Sequence, residues 1–180
     1  MRHARGLWVT GDFFRVLGVL PWRGRLLEPD DEGACPDSVG VVSFAYWQRE
    51  MGGQELNPDS RLLVDGAPVQ IVGVTPPEFF GMAVGEGFDI ALPFCQSKQE
   101  FRRDLFMLSV IGRLRPGWTV ERASAQLEAI SPGVFEPTAL TGYSPQTVEA
   151  YKKFRFECCL QSSPPVRALS PHAGPPVWIR

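Results

Sequence analysis

The feature that most constrains the fold is an Asp-Gly pair between two apolar runs, in the stretch RLLVDGAPVQIVGVTPPEFF at residues 61–80. An Asp-Gly pair supplies the positive φ angles that a tight hairpin turn requires. Two antiparallel strands are therefore predicted on either side of Asp65 and Gly66. A two-stranded ribbon is only marginally stable by itself, so we expect flanking helices to cover it.

The turn also predicts which residues of the hairpin face each other. Val64 should face Ala67 in the hydrogen-bonded pair that closes the turn. Leu63 should face Pro68 in the next pair, which is not hydrogen-bonded, so proline's missing N–H costs nothing there. Because side chains alternate along a strand, one face should hold Leu62, Val64, Ala67, Val69 and Ile71 and the other Arg61, Leu63, Gln70, Val72 and Val74.

Composition indicates an ordinary globular protein and argues against two functional classes. The 180 residues are 44% hydrophobic and 21% charged, which suits about one domain. A net charge of -2 does not favour nucleic-acid binding, which normally uses a basic face. No window approaches the roughly 18 apolar residues of a membrane span, and the N-terminus is too polar for a signal peptide. The sequence alone thus predicts a soluble chain without a targeting segment.

Capping residues and hydrophobic spacing predict the helices of the first half. Asp12 is the expected N-cap of a helix over Phe13–Leu17, which Gly18 should close. Ser43 is the expected N-cap of a helix over residues 44–51, in which Trp47 is predicted to be a core residue and not part of a ligand site.

Strands are predicted at residues 39–42, 88–94 and 107–114. Pro93 would interrupt a central strand, so the segment FDIALPF should lie at a sheet edge. After the last strand, a turn through Gly117 and a cap at Thr119 should begin a helix that ends at Ser131-Pro132. That helix should present Val120, Ala123, Leu127 and Ile130, and a further helix over residues 145–156 should present Val148, Tyr151 and Phe154.

These elements predict an α+β fold. A strand, a turn and an amphipathic helix in succession make a β-α unit, so helices should pack on a sheet. We expect a short-stranded mixed sheet with packed helices. Residues 158–180 contain five prolines, no acidic residue and no periodicity, which predicts a disordered, irregular tail.

Ligand sites are not supported by the spacing of the polar residues. The acidic run Glu28, Asp30, Asp31 and Glu32 lacks the alternating oxygen ligands of a calcium loop, so a solvated loop is favoured. Glycines 81, 85 and 87 are not followed by the Gly-Lys-Ser/Thr of a phosphate loop. The cysteines are interpreted as buried or free thiols because they lack metal-ligand spacing: Cys35, Cys95, Cys158 and Cys159. No cofactor or metal is predicted.

Catalysis is not expected either. The two histidines, His3 and His172, lie in segments that should not hold them in a formed site, so Ser-His-Asp and Cys-His mechanisms lack their usual base. Two carboxylate pairs stay open as an acid and a base, but nothing places them in a pocket: Asp30 with Asp31, and Glu78 with Glu86.

Five stretches in succession resemble the MacB-like periplasmic core domain of ABC transporter permeases, especially those of acidobacterial type. They are VTGDFFRVLGVLPWRGRLL, VVSFAYWQREMGG, RLLVDGAPVQIVGVTPPEFFG, FDIALPF and IGRLRPGWTVERASAQLEAI. The similarity covers residues 7–156. Its predicted structural motif residues are Gly11, Asp12, Phe14, Gly18, Gly24, Arg25, Trp47, Asp65, Gly66, Gly73, Pro76, Phe80, Gly112 and Gly117.

The resemblance implies a domain on the periplasmic side of the cytoplasmic membrane, between the first two transmembrane helices of a permease subunit. It also implies that the domain combines a β-α-β unit with a mostly β lobe. Such a domain would not be an enzyme, and it would relay ATP-driven conformational change during export. The implied partners are a second permease subunit, an ABC ATPase and a periplasmic adaptor protein.

The resemblance also implies that the chain is a fragment. The family's first transmembrane helix and the strand after it should be missing before Gly11, and its later helices should be missing as well. We therefore expect residues 1–157 to be an incomplete core domain, and residues 158–180 to be a tail translated out of frame. The alternatives are a free-standing soluble binding module and a small carboxylate-dependent hydrolase.

Overall fold

The computed structural model describes residues 4–33, 39–82, 87–94, 108–139, 142–160 and 176–179. These residues form two compact units, the first containing the described residues up to 94 and the second those from 108 onward. Sheets and helices occur together, so the predicted α+β class is confirmed. Some predicted features lie outside the described residues, namely His3, Cys35, Gly85, Glu86, Cys95 and His172.

The first unit is a mixed sheet with two short helices. Its elements are β1 (Gly6–Val9), α1 (Phe13–Leu17), β2 (Arg23–Gly24), a 3-10 turn (Pro29–Gly33), β3 (Val39–Val42), α2 (Phe44–Glu50), β4 (Arg61–Val64), β5 (Ala67–Val74) and β6 (Ile90–Pro93). The strands are ordered β1-β6-β3-β5-β2, and β4 also pairs with β5. The pairs β1 with β6 and β3 with β5 are parallel, and the others are antiparallel.

The predicted hairpin is confirmed in both turn and register. Asp65 has φ 51° and Gly66 has φ 82°, the two positive values of a type I′ turn. Val64 pairs with Ala67, and the next pair follows as predicted. Strand β3 overlaps both β4 and β2 along β5, so β4 and β2 share the other edge of that strand. The long strand of the hairpin is therefore the centre of this part of the sheet.

One predicted face assignment is wrong. Val74 was expected on the face opposite Ile71, but both belong to one buried cluster. The register of β3 against β5 shifts, since Gly40 pairs with Ile71 whereas Val41 pairs with Gly73. The extra residue on β5 reverses the alternation, as a β-bulge does. The cluster consists of Val42, Trp47, Val69, Ile71, Val74, Ile90 and Leu92.

The predicted edge position of FDIALPF is also wrong, because β6 lies between β1 and β3. Proline is tolerated there because the ladder with β3 involves only Ile90 and Ala91, and Pro93 lies beyond it. On the other side, the carbonyl of Val9 accepts a hydrogen bond from the N–H of Phe94 at 2.8 Å. The missing N–H of Pro93 therefore interrupts the hydrogen bonding of β6 with neither β3 nor β1.

The helices of the first unit lie where predicted, but one cap differs. Ser43 Oγ accepts a hydrogen bond from the Tyr46 N–H at 3.2 Å and caps α2. Asp12 makes no such cap, because its Oδ1 accepts a hydrogen bond from Arg15 Nη2 at 2.6 Å. A charged donor is the stronger partner for a carboxylate. Gly18 closes α1 at φ 72°, as predicted.

Strand β1 corrects the expectation that no strand precedes Gly11. Gly6–Val9 pairs in parallel with β6 over four residues, from Gly6 opposite Ile90 to Val9 opposite Pro93. This short strand was missed because four residues with one glycine give too little alternation to identify.

The second unit is an antiparallel sheet with two helices. Its elements are β7 (Val110–Arg113), α3 (Val120–Phe135), α4 (Pro145–Lys152), β8 (Cys158–Leu160) and β9 (Pro176–Ile179). The strand order is β7-β9-β8. Gly112 lies in β7, Gly117 turns the chain at φ 76°, and Thr119 caps α3 by accepting a hydrogen bond from the Arg122 N–H at 3.3 Å. The predicted turn and cap are thus confirmed.

Two short strands lie in the segment for which the sequence predicts an irregular tail. Cys158 pairs with Ile179, and β9 also pairs with β7. A segment without hydrophobic alternation can still complete a sheet, because the backbone groups that form the ladder are present in almost every residue. The residues between the two strands, 161–175, lie outside the described part of the chain.

Helix α3 continues past its predicted stop at Ser131-Pro132 and ends at Phe135. The Ser131 hydroxyl donates to the carbonyl of Leu127 at 2.6 Å and accepts from the N–H of Phe156 at 2.8 Å. Phe135 is buried, with its ring centroid 4.8 Å from that of Phe156. These contacts offset the hydrogen bond that Pro132 cannot make.

The apolar face of α3 was predicted correctly except at Ile130, which is 50% exposed. Val120, Ala123 and Leu127 pack against the buried Leu114 and Cys158. The face continues from Leu127 to Ser131, four residues on, instead of to Ile130.

Helix α4 is shorter than predicted, since it ends at Lys152 and not at residue 156. Tyr151 is buried as expected, whereas Phe154 is 48% exposed. Cys158 and Cys159 are free thiols, as interpreted, and burial raises the pKa of the Cys158 thiol. None of the helices within the described residues has the length and hydrophobicity needed to cross a bilayer.

Replacing Gly66 by Val should lower the free energy of unfolding by about 2 kcal/mol, because a β-branched residue is strained at positive φ. A Cβ at Gly66 would meet no atom within 4 Å, so the loss would come from the backbone conformation alone. Urea denaturation measures it. The matched control is Gly6→Val, also free of contacts but without a positive φ, which should be close to neutral. Equal stability of the two variants would contradict the turn assignment.

Candidate functional site

A cleft of about 400 Å³ lies in the first unit, between α1 and the segment that runs from β2 into the 3-10 turn. It is hereafter the α1 groove, and residues 11–29 contribute its lining. The predicted motif residues that line it are Gly11, Asp12, Phe14, Gly18, Gly24 and Arg25. The structure thus brings the first part of the predicted motif together at one site.

The floor of the α1 groove is apolar. Phe14, Val19 and Leu27 line it and are 1%, 4% and 3% exposed. The ring of Phe14 packs edge-on against Phe79 at 5.8 Å. The floor is therefore part of the packed interior, which keeps its shape fixed.

One wall of the groove is held against the start of α1 by a close backbone approach at Gly11. A Cβ at Gly11 would collide with the carbonyl group of Glu28 and the nitrogen of Pro29. The Gly11 N–H also donates to Glu32 Oε1 at 2.7 Å. Only glycine allows this approach, which explains why it stands at this motif position.

A second close approach positions Arg25. A Cβ at Gly24 would collide with the carbonyl oxygen of Val72, and a Cβ at Gly73 with that of Arg25. The Arg25 N–H donates to the Val72 carbonyl at 2.9 Å, just beyond the β2–β5 pairing. The two motif glycines therefore allow β2 to lie against the central strand and place the Arg25 side chain at the groove.

Arg25 and Asp31 form a two-point ion pair beside the groove. Arg25 Nη1 and Nη2 contact the two carboxylate oxygens of Asp31 at 2.7 and 2.8 Å. The Glu28 N–H also donates to Asp31 Oδ2 at 2.8 Å, and Arg25 Nη1 reaches the carbonyl of Leu26 at 3.1 Å. This bidentate geometry is the stronger form of an arginine–carboxylate contact.

The electrostatics of the pair favour the charged forms. Burial by itself would raise the pKa of Asp31, but the hydrogen bond from Arg25, the hydrogen bond from the Glu28 N–H and the charge of Arg25 together lower it. The hydrogen bond to Asp31 raises the pKa of Arg25. Asp31 therefore stays ionised at neutral pH.

The expectation of a merely solvated acidic loop needs correction. Asp31 is 8% exposed and Glu32 binds a backbone N–H, so both have structural roles. Glu28 and Asp30 are exposed. Within the described residues, no group of three or more His, Cys, Asp or Glu side chains is placed to hold a metal ion. Of the carboxylate pair that the sequence leaves open as an acid and a base, Asp30 is exposed to solvent and Asp31 is held in the ion pair with Arg25.

A second charged cluster lies at the start of β6. Asp89 is 6% exposed, and its Oδ2 accepts a hydrogen bond from the Arg5 N–H at 2.8 Å. Its Oδ1 lies 3.3 Å from Arg49 Nη2. In the backbone, the Asp89 N–H donates to the Arg5 carbonyl at 2.9 Å, and the Ser43 N–H donates to the Asp89 carbonyl at 3.0 Å. Asp89 thus links β1, β6 and α2.

Sequence reasoning missed both buried aspartates. Asp31 gave no usable signal, because it stands among three other acidic residues in a turn. Asp89 did give one, since a lone carboxylate inside the apolar run FDIALPF is costly to bury without a partner. That signal would have predicted a buried ion pair, although not its partners.

The remaining predicted motif residues lie away from the groove. Trp47 belongs to α2 and is buried in the apolar cluster of the first unit, and its Nε1–H donates to the Gln54 carbonyl at 2.8 Å. Phe80 is 69% exposed, and Pro76 follows β5. The others are placed at the hairpin turn (Asp65 and Gly66), in β5 (Gly73), in β7 (Gly112) and in the turn before α3 (Gly117).

Comparison with known proteins identifies one family. The family described as MacB-like periplasmic core domain matches residues 2–130. Among solved structures, the chain is similar to the periplasmic region of MacB from Actinobacillus actinomycetemcomitans, with 17% sequence identity and a TM-score of 0.32. That similarity covers 51% of this chain and 47% of the other, so the chain spans less than half the length of that protein. No curated protein matches the chain.

Replacing Asp31 by Asn should lower the free energy of unfolding at pH 7 by about 1–3 kcal/mol, because Arg25 loses its charged partner. The folded-state pKa of Asp31 is lowered, so this stability is fully present above its unfolded pKa of about 3.9 and is lost as the pH falls through the folded value. The difference between the parent and Asp31→Asn should therefore shrink below about pH 3.9. Denaturant titrations over that pH range measure it.

The matched control is Asp30→Asn, which removes the neighbouring exposed carboxylate and should change stability by less than about 0.5 kcal/mol. A loss for Asp31→Asn that is independent of pH would contradict the ion-pair explanation.

Proposed function

The chain belongs to the family of MacB-like periplasmic core domains, and on that premise we propose that it is the extracytoplasmic domain of an ABC transporter permease. The observation that carries the proposal is the family match over residues 2–130, which spans every described residue of the first unit. All residues that line the α1 groove lie within that match.

In this proposal the domain lies on the periplasmic side of the cytoplasmic membrane and has no catalysis of its own. It relays conformational change, driven by ATP hydrolysis in a separate nucleotide-binding domain, to support export. Its partners are a second permease subunit, the ABC ATPase and a periplasmic adaptor protein. Residues 1–157 are assigned to the core domain, of which the family match covers residues 2–130. Residues 158–160 and 176–179 complete the sheet of the second unit by pairing with β7 and with each other, so they are assigned to that unit.

A domain that transmits force should be stiff where the force is applied. The contacts of Asp89 with Arg5 and Arg49 support this role. Strand β1 runs parallel to β6, so a pull along β1 loads all of its ladder hydrogen bonds together instead of one at a time. Asp89 adds side-chain bonds to Arg5 and Arg49 at the entry to β6. Displacement of the segment before β1 would therefore be carried into the sheet and α2 as one body.

The flanking coding DNA distinguishes this proposal from a free-standing binding module. We expect it to encode apolar segments of about 20 residues on both sides of the domain, in one frame or another, together with a neighbouring ATPase gene. An intact frame with an upstream signal peptide and a stop codon after residue 180 would instead favour the free-standing module.

Replacing Asp89 by Ala should weaken the attachment of β1 and lower the free energy of unfolding by about 1–3 kcal/mol, because the partly buried hydrogen bond between the Arg5 N–H and a charged carboxylate is lost. The force needed to detach β1, measured by optical tweezers attached near residues 4 and 94, should fall as well. Asp59→Ala, at an exposed loop position, is the control and should leave both quantities unchanged. An unaltered detachment force for Asp89→Ala would remove the mechanical argument.

A further inference from the structure

The α1 groove has the size and floor of a binding site. Its volume of about 400 Å³ falls within the range of ligand pockets, roughly 300–1,000 Å³. The floor is formed by buried apolar side chains, so an apolar group that entered the groove would leave water and contact packed carbon atoms.

Apolar surface continues from the groove into solvent along one wall. Leu20 lines the groove and is 59% exposed, and Trp22, two residues on, is 44% exposed. Pro21 between them also lines the groove and is exposed. Contiguous exposed apolar residues at the mouth of a cleft are typical of an interaction surface.

The wall that contains Glu28, hereafter the acidic wall, carries an excess of negative charge. Asp12 is paired with Arg15 at 2.6 Å, and Asp31 is paired with Arg25. Glu28, which lines the groove, and its exposed neighbour Asp30 form no ion pair within 4 Å of any other described residue. The charge of Glu28 does contribute to raising the pKa of Arg25, but Arg25 is already paired with Asp31, so negative charge remains in excess. A ligand that fits both walls must therefore combine an apolar group with a positive charge.

The acidic wall is already rigid without a ligand. The close approach of Gly11 to Glu28, the Gly11–Glu32 hydrogen bond and the Arg25–Asp31 pair hold it in place. A preformed site loses little conformational freedom when it binds, which favours affinity from a small contact area.

We propose that the α1 groove is a docking site for an extended segment of a partner protein in which an aliphatic side chain is flanked by lysine or arginine. The aliphatic side chain enters the groove beside Leu20, and the basic residues face Glu28 and Asp30. An anionic membrane surface fits poorly, because those two carboxylates would repel it. This inference goes beyond the transport role and does not depend on it, since it concerns the groove alone.

Binding is tested with the whole 180-residue chain, labelled with nitrogen-15, and three capped pentapeptides. The first has the sequence glycine-lysine-leucine-lysine-glycine, the second replaces both lysines by glutamate, and the third replaces leucine by glycine. The lysine-leucine peptide should shift the amide signals of residues that line the groove. Either replacement should weaken binding by about fivefold or more.

Variants of the chain separate the two walls. Glu28→Gln combined with Asp30→Asn should weaken binding of the lysine-leucine peptide by about fivefold. The lysine-leucine peptide and the glutamate peptide should then bind with similar affinity. Leu20→Ser should weaken the lysine-leucine peptide but not the leucine-free peptide. The control, Glu55→Gln combined with Asp59→Asn, removes the same charge from an exposed loop and should change nothing.

Three results would overturn the proposal. The first is equal binding of the lysine and glutamate peptides, and the second is the absence of amide shifts in the groove at millimolar peptide. The third is concentration-dependent dimerisation that Leu20→Ser abolishes, which would assign the groove to a second copy of this chain. Failure of the peptide test leaves the flanking-DNA test of the transport role unaffected, so the two proposals are separable.

Discussion

The first unit depends on the contact between β2 and the central strand β5. Gly24 and Gly73 let the two backbones approach so closely that a Cβ on either would strike a carbonyl oxygen of the other strand. This approach places Arg25, whose guanidinium holds Asp31 and thereby the acidic wall of the α1 groove. The groove thus depends on how β2 is seated on the sheet, together with the close approach of Gly11 to Glu28 at its border.

Two buried aspartates carry the charged contacts that hold segments of the first unit together. Asp89 joins β1 to the sheet and α2, which is the basis of the force-transmitting role that we propose. Asp31 stabilises one wall of a groove whose remaining carboxylates face solvent, which is the basis of the docking site that we propose. A buried carboxylate that loses its hydrogen-bond partners is costly, so both sets of contacts should be maintained in the folded domain.

Local patterns predicted the elements well where one short-range interaction decides the structure. The turn at Asp65-Gly66 and the cap at Ser43 were correct because each depends on residues within a few positions. The predictions failed where a distant partner decides. Pro93 was placed at an edge, yet the ladder with β3 ends before it, and α3 passes Pro132 because Phe156 bonds back to Ser131.

By itself the sequence determined the α+β class and the hairpin register, because turn chemistry and side-chain alternation depend on residues close together in the chain. Only the tertiary structure decided which carboxylates are buried and what they hold. Arg5 and Asp89 are 84 positions apart, and their contact exists only because β1 pairs with β6. Arg25 and Asp31 are only six positions apart, but nothing in the acidic run indicates which of its carboxylates the 3-10 turn will place against the guanidinium.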